Sequence, residues 1–187
     1  QRWQAEAQDR TILKKSQGEQ ALSMGEAFCG NADAMGLLSK SIVERPLFWE
    51  EGSLTCKGLV DGFNKEKKHA FDIKTTEDIS SAWSKCKKYY YDVQAAHYVF
   101  GLRANGFDVE NYTLVFIERD TPHNMLLLDL SKNTLEGADM LRRSWLLQWE
   151  VCRHEGIYPP ATKRQLLTID RQREISDSFE RLEETTC

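Results

Sequence analysis

The sequence offers little to build a soft metal cage, a membrane span or a nucleotide cradle. Its five cysteines, Cys29, Cys56, Cys86, Cys152 and Cys187, are odd in number and contain no C-x-x-C pair. That argues against a disulfide framework, a zinc site or a grouped iron–sulfur ligand set, and it fits a reducing cytoplasm. Histidine is scarce. His69, His97, His123 and His154 have no neighbours at metal-ligand spacing, so each is expected to be structural or exposed. No apolar run approaches the ~20 residues of a membrane span, and the opening Gln1-Arg2-Trp3-Gln4-Ala5-Glu6 does not resemble a signal peptide. The first residue is not Met, which leads us to expect a fragment or a processed product. No glycine-rich phosphate loop and no G-x-S-x-G elbow occur, so neither ATP use nor that type of hydrolase is indicated. Positive charge is not in excess either. A net charge of −4 argues against a general nucleic-acid coat. It leaves room for a nuclease, whose acids form the metal site and whose basic groups are local.

What is present suits one α/β domain. At 187 residues, 41% hydrophobic and 29% charged, the chain can bury a core without cross-links. Residues 3 to about 30 read as helical, and a short helix through Met35–Leu38 is possible. Ser41 to Trp49 reads as a strand in which Pro46 suits an edge. Glu50-Glu51-Gly52-Ser53 reads as a turn. Leu54–Phe63 and His69–Thr75 complete a three-stranded antiparallel meander. A short helix near Asp78 leads to a longer one, from about Cys86 or Tyr90 to Asn105, whose apolar face includes Tyr91, Ala95, Tyr98, Val99 and Leu102. Strands at Tyr112–Glu118 and Met125–Leu130 follow, then an amphipathic helix from Asn133 to about Glu155. The expected fold is a mixed central sheet with an antiparallel meander and helices on both faces. Residues 1–160 are expected to form the domain. Residues 161–187 are expected to form a charged tail or docking helix, helical over 172–184.

The stretch from 61 to 74 carries the chemistry. Asp61 closes one apolar run, and a second run ends in Asp72-Ile73-Lys74. Strand alternation points Asp72 and Lys74 the same way and Ile73 the other. Two acids and an amine at one point suit a metal-dependent phosphodiesterase. The acids supply hard oxygen ligands to a divalent cation, and the lysine orients water or stabilises developing phosphate charge. A plainer reading stands beside this one: Asp61-Gly62 is a good hairpin-turn dipeptide, and Asp72 and Lys74 could simply end a strand at the surface. Downstream, Gln94 and Tyr98 lie four apart on one helix face, placed for a phosphate or a metal-bound water, or else as an ordinary polar surface. Lys85-Cys86-Lys87-Lys88 beside Tyr89-Tyr90-Tyr91 could grip a DNA backbone or stack on an unpaired base. Equally, it could be a solvated helix start with its tyrosines in the core.

Taken in order, Cys56-Lys57-Gly58-Leu59-Val60-Asp61-Gly62, Phe71-Asp72-Ile73-Lys74-Thr75-Thr76 and Tyr91-Asp92-Val93-Gln94-Ala95-Ala96-His97-Tyr98 resemble the PD-(D/E)XK nuclease superfamily. Within it, the chain is similar to the RecE-type and YqaJ-type exonucleases of phages and prophages, themselves similar to the RecB nuclease domain. The resemblance covers roughly residues 25 to 155 and implies a restriction-endonuclease-like core. It also implies that Asp61, Asp72 and the Ile73 carbonyl bind Mg²⁺ or Mn²⁺, that Lys74 activates or orients the water, and that Gln94 and Tyr98 support the scissile strand. Lys85, Lys87, Lys88 and Tyr91 would contact nucleic acid. The expected activity is hydrolysis of linear double-stranded DNA from its ends, 5′ to 3′, in phage-type recombination in a bacterial cytoplasm. A ring-like homo-oligomer and a single-strand annealing partner are expected with it. A restriction or defence endonuclease of the same fold, or a non-catalytic DNA-binding subunit, are the alternatives. One departure stands out: Gly25-Glu26-Ala27-Phe28-Cys29 places a cysteine where such enzymes carry a metal-binding histidine. Glu26 or Glu44 is then a candidate extra acid, and Cys29 is expected to be a small buried residue.

Overall fold

The computed structural model describes residues 13–158. Its elements are α1 (Lys15–Gly30), α2 (Ala32–Leu38), β1 (Ile42–Glu51), β2 (Leu54–Asn64), β3 (His69–Thr76), a 3₁₀ turn (Ile79–Ser81), α3 (Ala82–Tyr89), α4 (Tyr91–Ala104), β4 (Asn111–Glu118), β5 (Met125–Asp129) and α5 (Lys132–Glu155). The five strands form one sheet in sequence order, β1-β2-β3-β4-β5. All neighbours pair antiparallel except β3 and β4, which run parallel. A parallel pair cannot be joined by a hairpin. The chain between them therefore crosses over, and α3 and α4 are that crossover.

Period-two alternation divides the core into two layers. On β4, Tyr112, Leu114 and Phe116 face Ala95, Val99 and Leu102 of α4, together with Leu47 and Val60 of the meander. Val115 and Ile117 face the opposite way, where Phe71 joins Phe28 of α1 and Ala34 of α2. Helices thus cover both faces of a mixed sheet, as the sequence pattern implied. Each fully buried aliphatic or aromatic side chain contributes roughly 1.5–3 kcal/mol, so these two layers fix the sheet that positions what projects from it.

Local chemistry sets the boundaries. Asn31 separates the first two helices, and its side chain accepts the N–H groups of Asp33 and Ala34 at 3.1 and 3.0 Å, a helix-starting cap. Asp78 caps the 3₁₀ turn in the same manner, through Ser80 N–H at 2.8 Å. Tyr90 stands between α3 and α4 with φ 54° and ψ 43°, a left-handed conformation that bulky residues seldom adopt. Gly101 lies under the Trp49 indole so closely that a Cβ there would approach it to 2.6 Å, which lets α4 settle onto β1.

The strand and helix expectations agree with the structure except at some ends. Glu50 and Glu51 belong to β1 rather than to a turn, because the ladder to β2 continues through Glu50↔Thr55 and Glu51↔Leu54, and Arg142 of α5 donates to both Glu51 carboxylate oxygens, at 2.6 and 3.0 Å. The turn shrinks to Gly52-Ser53, with Gly52 at φ 60°. The helical reading before residue 13 and the tail helix over 172–184 lie outside the described residues.

Candidate active site at a fork in the sheet

β2 and β3 pair for only three steps, Gly62↔Phe71, Phe63↔Ala70 and Asn64↔His69. Beyond Gly62 and Phe71 they separate. β2 stays with β1, and β3 stays with β4 through Thr76. Asp61 and Asp72 are the first residues past the split. Asp61-Gly62 is therefore strand interior, not a turn. Gly62 is needed at the last zipped step because a Cβ would come within 2.1 Å of the Phe71 ring.

At the fork, side chains take over from the ladder. The Ile73 N–H donates to Asp61 Oδ2 at 2.8 Å, so a carboxylate occupies the place of a missing strand carbonyl. Asp72 is 4% exposed, and its Oδ2 is buried with no partner beyond the Lys74 ammonium. Lys74 projects on the same face and forms an ion pair with that oxygen. Burial pushes the Asp72 carboxyl above the ordinary range; Lys74 offsets part of this, and the neighbouring Asp61 carboxylate adds to it. A buried carboxylate beside a half-buried one suits a hard cation more than a second ammonium.

The lysine is held from three sides. Its ammonium donates to Gln94 Oε1 at 2.7 Å, pairs with Asp72 and lies 4.6 Å from the centre of the Tyr91 ring. Gln94 Nε2 donates to Tyr98 Oη at 3.0 Å, which fixes the amide's orientation. Tyr98 is kept un-ionised chiefly by burial, with Asp72 and Asp61 acting in the same direction and Gln94 opposing them. An unbroken chain thus runs from Asp72 through Lys74 and Gln94 to Tyr98. A residue that pattern alone did not single out sits beneath it. Tyr112 is fully buried, its hydroxyl has no partner, and burial together with Asp72, Tyr98 and Asp61 suppresses its ionisation. As one of the apolar-rich residues of a buried strand, it carried no signal in the sequence.

Residues 4–156 match the model of a family described as a PDDEXK-like domain of unknown function (DUF3799). The chain belongs to this family. Among solved structures, this PDDEXK-like domain is similar to a candidate exonuclease from Eubacterium rectale, with a TM-score of 0.68 at 14% identity over 92% of this chain and 72% of that one. A phage-related exonuclease from Haemophilus somnus 129PT aligns at 15% identity over 75% of this chain and 76% of that one, with a TM-score of 0.40. No curated protein matches the chain. The first of these likenesses establishes the nuclease-like fold.

The remaining candidate residues of the PDDEXK-like domain scatter. Among the described residues no three His, Cys, Asp or Glu side chains gather as a metal cluster. Glu26 is exposed on α1. Glu44 is exposed on β1 with φ 49°, at the step where the β1–β2 ladder skips, opposite Asp61. Neither joins the two aspartates. Cys29 is exposed rather than buried, because its neighbour Phe28 takes the inward face of α1. Lys85 turns inward and donates to Thr76 Oγ1. Tyr91 also turns inward, against Lys74 and Phe116. Lys87 and Lys88 remain exposed, beside the Trp83 and Tyr89 rings. His69, His97 and His123 are tied into the fold through Thr113, the Lys57 carbonyl, and Ser23 with the Glu118 carbonyl. Among the described residues, no helix is long and apolar enough to cross a membrane.

Proposed function

We propose that this protein is a divalent-metal-dependent deoxyribonuclease acting on the ends of linear double-stranded DNA. The observation that carries the reading is the fork itself, where Asp61, Asp72 and Lys74 converge with Gln94 and Tyr98. Asp61, Asp72 and the Ile73 carbonyl would hold Mg²⁺ or Mn²⁺, and the buried Asp72 Oδ2, partnered by Lys74 alone, and the hard oxygen set fit such an ion. When bound, the cation supplies charge neutralisation at the phosphate and acidifies water. The chain's own groups supply the rest. Lys74, positioned by Gln94 and the Tyr91 face, directs its N–H bonds at the attacking water or at the oxygen gaining charge. With Asp72 serving as a ligand, Lys74 would keep its bond to Gln94 and have its other N–H groups available to the phosphate. Tyr98, un-ionised, keeps a donor available beside Gln94.

The family and the fold support a nuclease, and the exonuclease description of the Eubacterium rectale structure favours end-dependent cutting. The sequence resemblance extends the proposal to 5′-to-3′ resection in phage-type recombination, a ring-like homo-oligomer and a single-strand annealing partner. The test is digestion of end-labelled linear duplex with Mg²⁺, Mn²⁺ or EDTA, with closed circular DNA alongside. Metal-dependent loss of linear DNA with the circle intact is the expected result, and the labelled end that disappears first gives the polarity. Cutting of the circle would replace the exonuclease with an endonuclease. No cutting by folded protein with either metal would sink the reading.

A further inference from the structure

Next to the fork lies a cleft of about 390 Å³ that the proposed chemistry does not use. The α3–α4 junction lines it with Tyr89 and Tyr90, α4 with Gln94 and His97, and α5 with Trp145. Its rings are unusually open to solvent: Tyr89 is 51% exposed, Tyr90 49% and Trp145 40%. Tyr90 and Trp145 meet edge to face at 5.0 Å. The left-handed backbone at Tyr90 is one that glycine would adopt freely, yet the position carries a large aromatic ring. Lys88 lies 5.2 Å from the Tyr89 ring centre, so an ammonium stands beside the aromatic lining. Gln94 belongs to both places, lining the cleft and holding the Lys74 ammonium.

We infer that this cleft takes an unpaired nucleobase of the strand whose neighbouring phosphate is presented to Lys74. The inference rests on the nuclease reading above. Stacking needs a free base face, which a duplex interior does not offer and a frayed or recessed end does. The volume suits a small planar ligand. The Lys88 ammonium beside Tyr89 matches a phosphate flanking the base, for which an apolar peptide has no counterpart. One residue, Gln94, couples occupancy of the cleft to the position of the lysine. The cleft would then select the open end of a DNA strand over its interior.

The test is binding by fluorescence anisotropy, with EDTA present so that no turnover occurs. The probes are labelled duplexes carrying short thymine overhangs, 3′ or 5′, and the same duplexes with abasic overhangs. The native protein should bind the thymine form of one polarity roughly tenfold more tightly than its abasic match, as expected for one stacked base. Trp145→Leu and Tyr89→Leu should remove that preference while leaving abasic binding unchanged, and Trp145→Phe should restore it. Equal affinity of the native protein for thymine and abasic ends overturns the inference, and a preference that survives both leucine variants overturns its placement in this cleft. The nuclease reading is judged separately, by the native protein's metal-dependent cutting: DNA cut without any base preference leaves that reading standing and removes only this one.

Discussion

The two halves of the β2–β3 pair solve opposite problems with the same two strands. Near their connecting turn, the strands are zipped, with backbone bonded to backbone and Phe63, Ala70 and Phe71 in the core. Past Gly62 and Phe71, the ladder stops. A carboxylate replaces a carbonyl as the partner of Ile73 N–H, and two aspartates meet beside a single lysine. The zipped half gains its stability from burial. The split half holds a charge arrangement that burial opposes, and it persists because the zipped half and the β3–β4 ladder fix it from either side. A site made this way costs the fold something and leaves its groups poised for a ligand.

The sharpest way to break that comparison is Lys74→Ala. The split half should lose its chemistry while the zipped half keeps the fold. Cleavage of linear duplex should fall by about 10²–10³-fold, with the circular-dichroism spectrum unchanged. Residual activity within a few-fold of the native protein would remove Lys74 from the mechanism.

Next in size is the response to a cation. The folded-state pKa of Asp72 lies above its unfolded value. The folded chain therefore binds more protons than the unfolded one between those two values, and this group's contribution to stability declines as pH rises through that window. A cation requires the ionised form, so the stabilisation by Mg²⁺ should grow over the same rise in pH. At a hundredfold excess over Kd it should reach about 2.7 kcal/mol, or roughly 5–10 °C in Tm for a chain of this size. Thermal melts with Mg²⁺ and with EDTA at stepped pH give the difference. A shift that is flat with pH, or that survives Asp72→Asn, would place the ion elsewhere.

The zipped half has its own counterpart. Asn64 is 2% exposed and closes the connecting turn, donating to the Ser39 carbonyl at 2.7 Å and accepting Lys67 N–H at 2.9 Å. Asn64→Ala leaves those groups without partners, at about 1–3 kcal/mol. The expected result is a lower denaturation midpoint with cleavage per folded molecule unchanged, the reverse of Lys74→Ala. Equal losses in both measurements would mean that the two halves are not separable.

Much of this was legible in the residues. Strict alternation placed Asp72 and Lys74 on one side of β3, and the four-residue spacing placed Gln94 and Tyr98 on one face of α4. The order of elements gave the meander and, through the helical crossover, the mixed sheet. What stayed hidden depends on geometry that no local pattern encodes. The splitting of β2 from β3 is a property of three strands at once. Three successive tyrosines look alike in sequence. The left-handed step at Tyr90 sends Tyr91 inward under Lys74 and leaves Tyr89 and Tyr90 exposed. Cys29 looked like a buried small residue until the phase of α1 gave the inward position to Phe28.

The finest distinction lies at the far end of the side-chain chain, at Tyr98. If the split half works by holding Lys74 in place, then the link from Tyr98 to Gln94 matters only as far as it fixes the amide. Tyr98→Phe keeps the ring, which packs where a Cβ on Gly58 would touch it at 3.0 Å, and removes only the hydroxyl. A neutral hydrogen bond of this kind is worth about 0.5–1.5 kcal/mol, so cleavage should fall by roughly two- to tenfold. Gln94→Leu deletes the charge-assisted bond to the lysine and should cost more. Because both act through the position of Lys74, combining Tyr98→Phe with Gln94→Leu should cost no more than Gln94→Leu alone. A fully additive double variant would show instead that the Tyr98 hydroxyl contacts the DNA itself, making it a direct participant and not a support for the lysine.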